Sequence, residues 1–215
     1  MAGGFSDAIF PVKNLGGAVS FLEGFQIEES GQTAVLGTPV MIASGDGGLE
    51  AWNGTTTTAG IAGVLAELSF NNLGSTGLGA PTGFTPILSY GSVIGNYSGN
   101  ANQPSGVISP PMTPMSDGRC RFWLSAPGIT VFIAKIGTSS GSNQAVATAQ
   151  TQVGVQYGMT KDGGTGNPYW FVDTNKTGGS AILTVVALSP LEAVGTVGGH
   201  VLFTFLPGAA QITTD

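Results

Sequence analysis

Charged side chains are the scarcest class in this sequence, and their scarcity limits the folds open to the chain. Lysine, arginine, aspartate and glutamate together make up 8% of the residues, against roughly 25% in an ordinary soluble domain. Helical bundles and coiled coils need such side chains on their outer faces, so both are excluded. A disordered chain needs high charge and low hydrophobicity, whereas 41% of these residues are hydrophobic.

Glycine is abundant where charge is scarce, with 36 glycines among 215 residues. Threonine, serine, valine and short apolar runs accompany these glycines, a pattern typical of strands joined by tight turns. The sequence therefore predicts an all-β protein built of small β-barrel or β-sandwich units, with long Gly-rich loops and an extended N-terminal arm. No segment of 20 to 50 residues repeats, which disfavours a propeller or a solenoid.

The charge balance excludes whole classes of partner. Six basic residues and a net charge of −6 cannot neutralise the phosphates of a nucleic acid or dock on an anionic membrane. No apolar run approaches the length of a membrane span, and the N-terminus lacks the basic region of a signal peptide. The single cysteine, Cys120, stands in a predicted strand and is expected to be inert. These features predict synthesis in a reducing cytoplasm, with no nucleic-acid and no membrane partner.

Four segments follow one another along the chain. Residues 1–30 form the predicted arm, and residues 31–136 a β domain with a loop-rich insertion around 70–118. Residues 137–150 form a Gly/Ser linker, and residues 151–215 a second β unit packed on the first. Within these units the strongest strand patterns lie at 39–43, 49–52, 60–67, 119–125, 129–135, 153–159, 169–173, 181–188 and 199–206. The first two read as a hairpin, and the glycines of the third predict close backbone packing or a bulge.

The arm carries many large apolar side chains without helical or strand periodicity. Either it packs back on its own domain, or it lies across a neighbouring subunit, because so apolar a segment must be covered somewhere. The second alternative makes it a candidate assembly interface. The residues that would form this interface are Phe5, Ile9, Phe10, Val12, Leu15, Phe21, Leu22 and Phe25.

One arrangement of residues imitates a catalytic signature. Ser139 lies in a G-x-S-x-G pattern and is followed by Asp173 and His200, in the order of the α/β-hydrolases. That motif needs a strand, a strained elbow and a helix, whereas Ser139 lies in a Gly/Ser tract where the pattern arises easily by chance. We therefore expect no catalytic residues and no enzymatic activity.

Other ligand-binding patterns are also missing from the sequence. One histidine and one cysteine cannot form a zinc site, and the acidic residues never reach EF-hand spacing. No phosphate-cradling glycine motif occurs, so no metal and no cofactor is expected. The aromatic triplet at 169–171 could be a sugar-stacking platform, but alternation in a strand favours core packing.

Three segments resemble a known family. The residues Leu-Gly-Thr-Pro-Val-Met-Ile-Ala-Ser-Gly-Asp-Gly-Gly-Leu-Glu at 36–50, Ala-Gly-Ile-Ala-Gly-Val-Leu-Ala-Glu at 59–67, and the stretch 188–207 resemble the auxiliary head proteins of tailed bacteriophages. These are the decoration or cement proteins on the outside of the capsid. The resemblance implies a β-rich subunit, often a homotrimer, that binds the major capsid protein and neighbouring copies and reinforces the shell.

The expected function is accordingly structural. The chain is expected in the virion, on the capsid exterior, after synthesis in the cytoplasm of the host bacterium. The alternative is another phage structural component, such as a head fibre, a tail part or a receptor-binding adhesin. Sugar binding at 169–171 or a low copy number would favour that alternative.

Overall fold

The computed structural model describes residues 8–16, 21–27, 37–42, 48–54, 60–67, 119–139, 145–161 and 169–211. In these ranges the chain forms β-strands and short 3-10 turns, and the all-β prediction is confirmed. The strands are β1 (Phe10–Asn14), β2 (Glu23–Ile27), β3 (Pro39–Ile42), β4 (Leu49–Ala51), β5 (Gly63–Glu67), β6 (Arg119–Leu124), β7 (Thr130–Gly137), β8 (Gln156–Lys161), β9 (Trp170–Asp173), β10 (Leu183–Leu188) and β11 (His200–Phe205).

Five strands close into a small barrel in the order β7-β11-β10-β8-β9. Four of its contacts are antiparallel, and the fifth is a short parallel contact that joins Ile136 to Val172 and Gly137 to Asp173. Strand β1 adds to the outside of this ring along the first half of β7. Closure joins β7 to β9, which would be the two edge strands if this five-stranded sheet were open.

A second sheet takes the order β2-β6-β5-β3-β4, with every neighbouring pair antiparallel. The pairing of β3 with β4 confirms the hairpin predicted from the sequence. Strands β2 to β6 pair in this second sheet, whereas β7 to β11 pair in the barrel and β1 pairs with β7, so the chain passes from the second sheet to the barrel at 125–129. Strand β7, which the sequence analysis assigned to the first unit, pairs in the barrel. Its β-branched sequence pattern did not indicate this, because such a pattern is the same whichever sheet a strand joins.

Gly63 lies where the backbones of β5 and β6 approach most closely. A Cβ atom at this position would overlap the carbonyl oxygen of Trp123 and press on the ring of Phe122. The register between β5 and β6 also shifts at residues 65–67. Both features predicted from the glycines of 60–67, close packing and a bulge, are confirmed.

The variant Gly63→Ala is expected to lower the free energy of unfolding by about 2 kcal/mol, because backbone atoms must move to admit the methyl group. Urea denaturation of the two proteins measures the difference. Gly179→Ala is the matched control, since a Cβ there meets nothing within 4 Å, and its effect should stay within about 0.5 kcal/mol. Equal stabilities for the two variants would contradict the close approach at Gly63.

The main hydrophobic core fills the barrel and extends to one face of the second sheet. Its centre is a triangle of aromatic rings, Phe132, Phe203 and Phe205, whose centroids lie 5.3 to 5.8 Å apart. A smaller cluster around Phe122 and Leu65 lies within the second sheet. Because Phe203 and Phe205 are two residues apart in one strand, both point to the same face and into the barrel.

The segment after β11 joins the barrel to the second sheet. Ala210 forms a parallel bridge with Ile61, so the end of the barrel hairpin continues beside β5. The side-chain amide of Gln211 donates to the carbonyl of Ile42 at 2.6 Å and accepts from its N–H at 2.7 Å. A side chain thus supplies the two hydrogen bonds that a neighbouring strand would otherwise give to β3.

Candidate functional site: two exposed apolar surfaces

The predicted arm is largely built into the two sheets of its own chain. Strand β1 pairs with β7, and β2 pairs with β6. Ile9 is buried in the main core. Of the two alternatives for the arm, packing on its own domain therefore holds for residues 8–16 and 21–27.

The predicted interface residues fall into distinct environments. Ile9 is buried, and Phe10 and Phe21 are half-buried. Phe5 and the side chain of Phe25 lie outside the described residues. The exposed ones are Val12, Leu15 and Leu22, with 40%, 52% and 37% of their surface accessible. We call these three residues the arm surface.

Two of the three residues of the arm surface, Leu15 and Leu22, are fixed to one short segment of backbone. The N–H of Leu15 donates to the carbonyl of Ile129 at 2.7 Å, and the N–H of Leu124 donates to the carbonyl of Leu22 at 2.9 Å. Val12 stands at the bulge in the pairing of β1 with β7. The segment 124–129, which links the two sheets, therefore holds exposed apolar side chains from both parts of the arm.

A second exposed apolar set lies in the connection between β10 and β11. Leu191, Val194 and Val197 are 67%, 59% and 64% exposed. We call these residues the loop surface. Sequence reasoning did not single them out, since the stretch 189–198 was treated as a connection between strands. Three large aliphatic residues within seven positions of a turn-rich segment were the available signal.

Hydrogen bonds hold the loop surface in a defined shape. The N–H of Thr148 donates to the carbonyl of Thr196 at 3.0 Å, and the N–H of Gly195 donates to the carbonyl of Thr148 at 2.8 Å. The N–H of Gly198 donates to the carbonyl of Val146 at 2.9 Å. Gly195 has a φ of +94°, which a residue with a side chain rarely adopts. The segment 145–149 thus acts as a short strand beside the loop.

A hydrogen-bonded pair of side chains, Glu192 and His200, adds a second anchor beneath the loop surface. One oxygen of Glu192 accepts from the N–H of His200 at 2.6 Å, and the other lies 2.8 Å from Nδ1 of the same histidine. Burial alone would raise the pKa of Glu192, but the hydrogen bonds from His200 and the positive charges nearby outweigh it, so the pKa is lowered. The carboxylate therefore stays ionised and tied to the start of β11.

The two surfaces lie at opposite ends of β7. Asn14, next to Leu15, pairs with Thr130 at the start of this strand. His200, next to the loop, pairs with Lys135 near the strand's other end. Five residues of extended backbone between Thr130 and Lys135 separate the surfaces by about 17 Å.

Ser139, Asp173 and His200 do not form a catalytic triad. The Asp173 carboxylate accepts from the N–H of Ser139 at 3.0 Å and from Oγ1 of Thr160 at 2.6 Å. His200 instead contacts Glu192. In a triad the imidazole stands between serine and carboxylate, whereas here the serine meets the carboxylate directly. The His200 side chain is buried.

Two of the three residues of the aromatic triplet pack inward, and Tyr169 is half-buried. Trp170 and Phe171 are buried, and the ring of Trp170 lies 5.1 Å from that of Trp52. No broad aromatic face is left for a sugar to stack on within this triplet. The side chain of Cys120 lies outside the described residues.

The described ranges contain no group of three histidine, cysteine, aspartate or glutamate side chains placed to hold a metal ion. In the same ranges no helix has the length and apolar character needed to cross a membrane. Comparison with known proteins gives no match to any protein-family model, curated protein or solved structure. The functional argument therefore rests on the two apolar surfaces and on the sequence itself.

Proposed function

We propose that this chain is a structural virion protein that binds the outer surface of a tailed-phage capsid and stabilises it, as a decoration or cement protein. Its partners are the major capsid protein and neighbouring copies of itself, with a homotrimer as the assembly that the resemblance implies. The chain acts by binding and carries out no catalysis in this role.

The observation that carries the proposal is the pair of exposed apolar surfaces at opposite ends of one barrel. A cementing subunit must contact the shell and also another subunit, so it needs two separate contact areas. Large aliphatic side chains such as Leu15 and Leu191 cost free energy when left in water, and partners that cover them recover it. Both surfaces are held by backbone hydrogen bonds, so little conformational entropy is lost on binding.

The scarcity of charge supports the same role. With 8% charged residues, the chain has few groups whose desolvation would oppose a close protein contact. Each contact can be modest, because a shell-covering protein binds in many copies and the stabilisation accumulates over the particle. We assign the arm surface to the capsid, since it lies on the segment that joins both sheets and would brace them together.

Quantitative mass spectrometry of purified virus particles tests the proposal. A cement protein should occur in numbers comparable with those of the major capsid protein. A copy number near a dozen or below would place the chain at a vertex, fibre or tail position instead. Absence from particles would overturn the proposal altogether.

The variant Leu15→Asp tests the assigned surface. It places a charge in the arm surface without disturbing the backbone hydrogen bond of Leu15, and it should reduce occupancy on particles at least about tenfold. The measurement is the ratio of this chain to the major capsid protein in particles formed with each variant. Val153→Asp is the matched control, since Val153 is exposed but lies outside the arm surface. Unchanged occupancy for Leu15→Asp would remove the arm surface from the contact.

A further inference from the structure

A dipeptide after β4 combines two features that favour a reaction of the chain with itself. Asn53 and Gly54 form the only Asn–Gly pair in the sequence, and Asn53 is exposed to water. Gly54 has a φ of +83°, a conformation that residues with a side chain rarely adopt. The fold therefore requires glycine after this asparagine, and glycine has no side chain to hinder an attack by its own backbone nitrogen on the asparagine.

The backbone N–H that follows an asparagine decides how readily such an attack takes place. The N–H of Gly54 donates to no group in the part of the chain that the structure describes. The N–H groups that follow the other two described asparagines are engaged. The one after Asn14 donates to the carbonyl of Ile129 at 2.7 Å, and the one after Asn175 donates to the carbonyl of Asp173 at 3.1 Å. A nitrogen held in this way must first give up its hydrogen bond, which costs free energy.

We propose that Asn53 and Gly54 form a spontaneous modification site, at which Asn53 is converted to aspartate and isoaspartate. The nitrogen of Gly54 attacks the side-chain carbonyl carbon of Asn53, an intramolecular step whose partners are already adjacent. A new C–N bond forms, the C–N bond of the carboxamide breaks, and the carboxamide nitrogen leaves as ammonia with the proton of the attacking nitrogen.

Water completes the conversion by opening the cyclic imide. Attack on the side-chain carbonyl breaks its bond to the Gly54 nitrogen and gives aspartate. Attack on the main-chain carbonyl of Asn53 breaks the original peptide bond and gives isoaspartate, whose backbone runs through the side chain. In both cases the hydroxyl of water stays on the carbonyl carbon and its proton goes to the nitrogen. Each conversion therefore consumes a water molecule and releases ammonia.

The modification alters a place where the second sheet meets the barrel. Trp52 is buried directly before the site, and its ring lies 5.1 Å from the ring of Trp170 on β9. A Cβ atom at Gly54 would lie 3.4 Å from the same Trp170 ring. Isoaspartate lengthens the backbone by a methylene group, and both products add a negative charge to a chain of net charge −6. The second part of the proposal is that conversion weakens the contact between Trp52 and Trp170.

Peptide mapping by mass spectrometry tests the first part. The purified full-length chain is incubated for several days in mildly alkaline buffer made with water that carries heavy oxygen. Asn53 should yield both aspartate and isoaspartate, each with the labelled oxygen. Asn14 and Asn175 should convert at least about tenfold more slowly, because their neighbouring nitrogens are hindered and hydrogen-bonded. No conversion at Asn53, or aspartate without isoaspartate, would overturn the proposal.

The variant Leu15→Gly separates the effect of the fold from that of the sequence. Leu15 is exposed, and the variant creates a second Asn–Gly pair whose N–H still donates to the carbonyl of Ile129. Oδ1 of Asn14 also accepts from the N–H of Gly16 at 2.9 Å, which holds the carboxamide in place. In the folded variant Asn53 should convert at least about tenfold faster than Asn14. In concentrated guanidinium chloride the two rates should lie within about twofold of each other, because both hydrogen bonds of the 14–16 turn are lost.

Equal rates at Asn53 and Asn14 in the folded variant would overturn the argument from the N–H of Gly54. Thermal denaturation checks that Leu15→Gly folds. If it does not, Lys176→Gly takes its place, since that variant creates an Asn–Gly pair at 175–176 whose N–H donates to the carbonyl of Asp173.

The melting temperature tests the second part. Wild-type protein should melt about 2 to 4 °C lower after full conversion at Asn53. Asn53→Gln is the control and should keep its melting temperature through the same incubation, since glutamine would have to close a larger and less favoured ring. A wild-type melting temperature that does not change on conversion, or an equal fall for Asn53→Gln, would overturn the effect on the Trp52–Trp170 contact. Neither part depends on the proposed capsid role.

Discussion

Replacing Phe132 by alanine is expected to lower the free energy of unfolding by about 4 kcal/mol. Phe132 is fully buried, and its ring contacts both Phe203 and Phe205 at centroid distances of 5.8 and 5.3 Å. The variant loses the transfer free energy of the ring and leaves a cavity that the closed barrel cannot fill by collapse. Urea denaturation followed by tryptophan fluorescence and circular dichroism measures the loss.

Two further variants show whether packing causes that loss. Phe132→Leu keeps most of the buried volume and should cost about 1.5 kcal/mol or less. Leu22→Ala also shortens a large apolar side chain, but at an exposed position. It should change the free energy of unfolding by no more than about 0.5 kcal/mol. A loss below 2 kcal/mol for Phe132→Ala would mean that the aromatic triangle is not the centre of the barrel core.

Local pattern was enough to predict the strands but not how they associate. The β-branched run at 129–135 and the aromatic run at 169–173 correspond to β7 and β9, because alternation and side-chain shape act within a few residues. Their pairing depends on two residues of parallel contact between segments 36 positions apart. Nothing in either segment specifies that partner, so the closed barrel and the division at 125–129 emerge only from the assembled fold.

The predicted linker at 137–150 contains residues that take part in long-range contacts. Glycine and serine at 137–143 indicate flexibility, yet Ser139 at its start binds the carboxylate of Asp173, and Ala147 near its end bridges to Val197. Both contacts join residues more than 30 positions apart. A serine can donate hydrogen bonds to a buried carboxylate, and it is also common in flexible linkers. The sequence alone does not distinguish these two roles.

The arm surface could be predicted in part from the sequence, whereas the loop surface could not. The arm was apolar enough to require covering, and its burial in two sheets settles most of that requirement through Ile9 and the strand pairings. Which residues stay exposed depends on the bulge at Val12 and on the turn after Asn14, both set by tertiary contacts. The loop surface needed the structure, because exposure in a connection depends on what packs beside it.

Asp173 is expected to be the most sensitive polar position among the described residues. Its carboxylate is fully buried and accepts hydrogen bonds from Thr160 on β8, from Ser139 after β7 and from the N–H of Asn175 after β9. It therefore joins all three strands at the point where the barrel closes. Asp173→Ala leaves these donors without an acceptor and should cost about 4 kcal/mol. Asp173→Asn keeps the shape and one acceptor, and should cost about half as much.

The pH dependence separates the charge of Asp173 from its shape. Burial alone would raise the pKa of this carboxyl, but the hydrogen bonds from Thr160, Ser139 and Asn175 outweigh burial and lower the pKa. A carboxyl with a lowered pKa in the folded state stabilises that state fully above its unfolded pKa of about 3.9 and loses the contribution as pH falls through the folded value. The difference in unfolding free energy between wild type and Asp173→Asn should thus be constant above about pH 5 and shrink below about pH 4. A difference that stays constant to the lowest pH would show that the carboxylate charge contributes nothing to closure, and that hydrogen-bond geometry alone holds the three strands together.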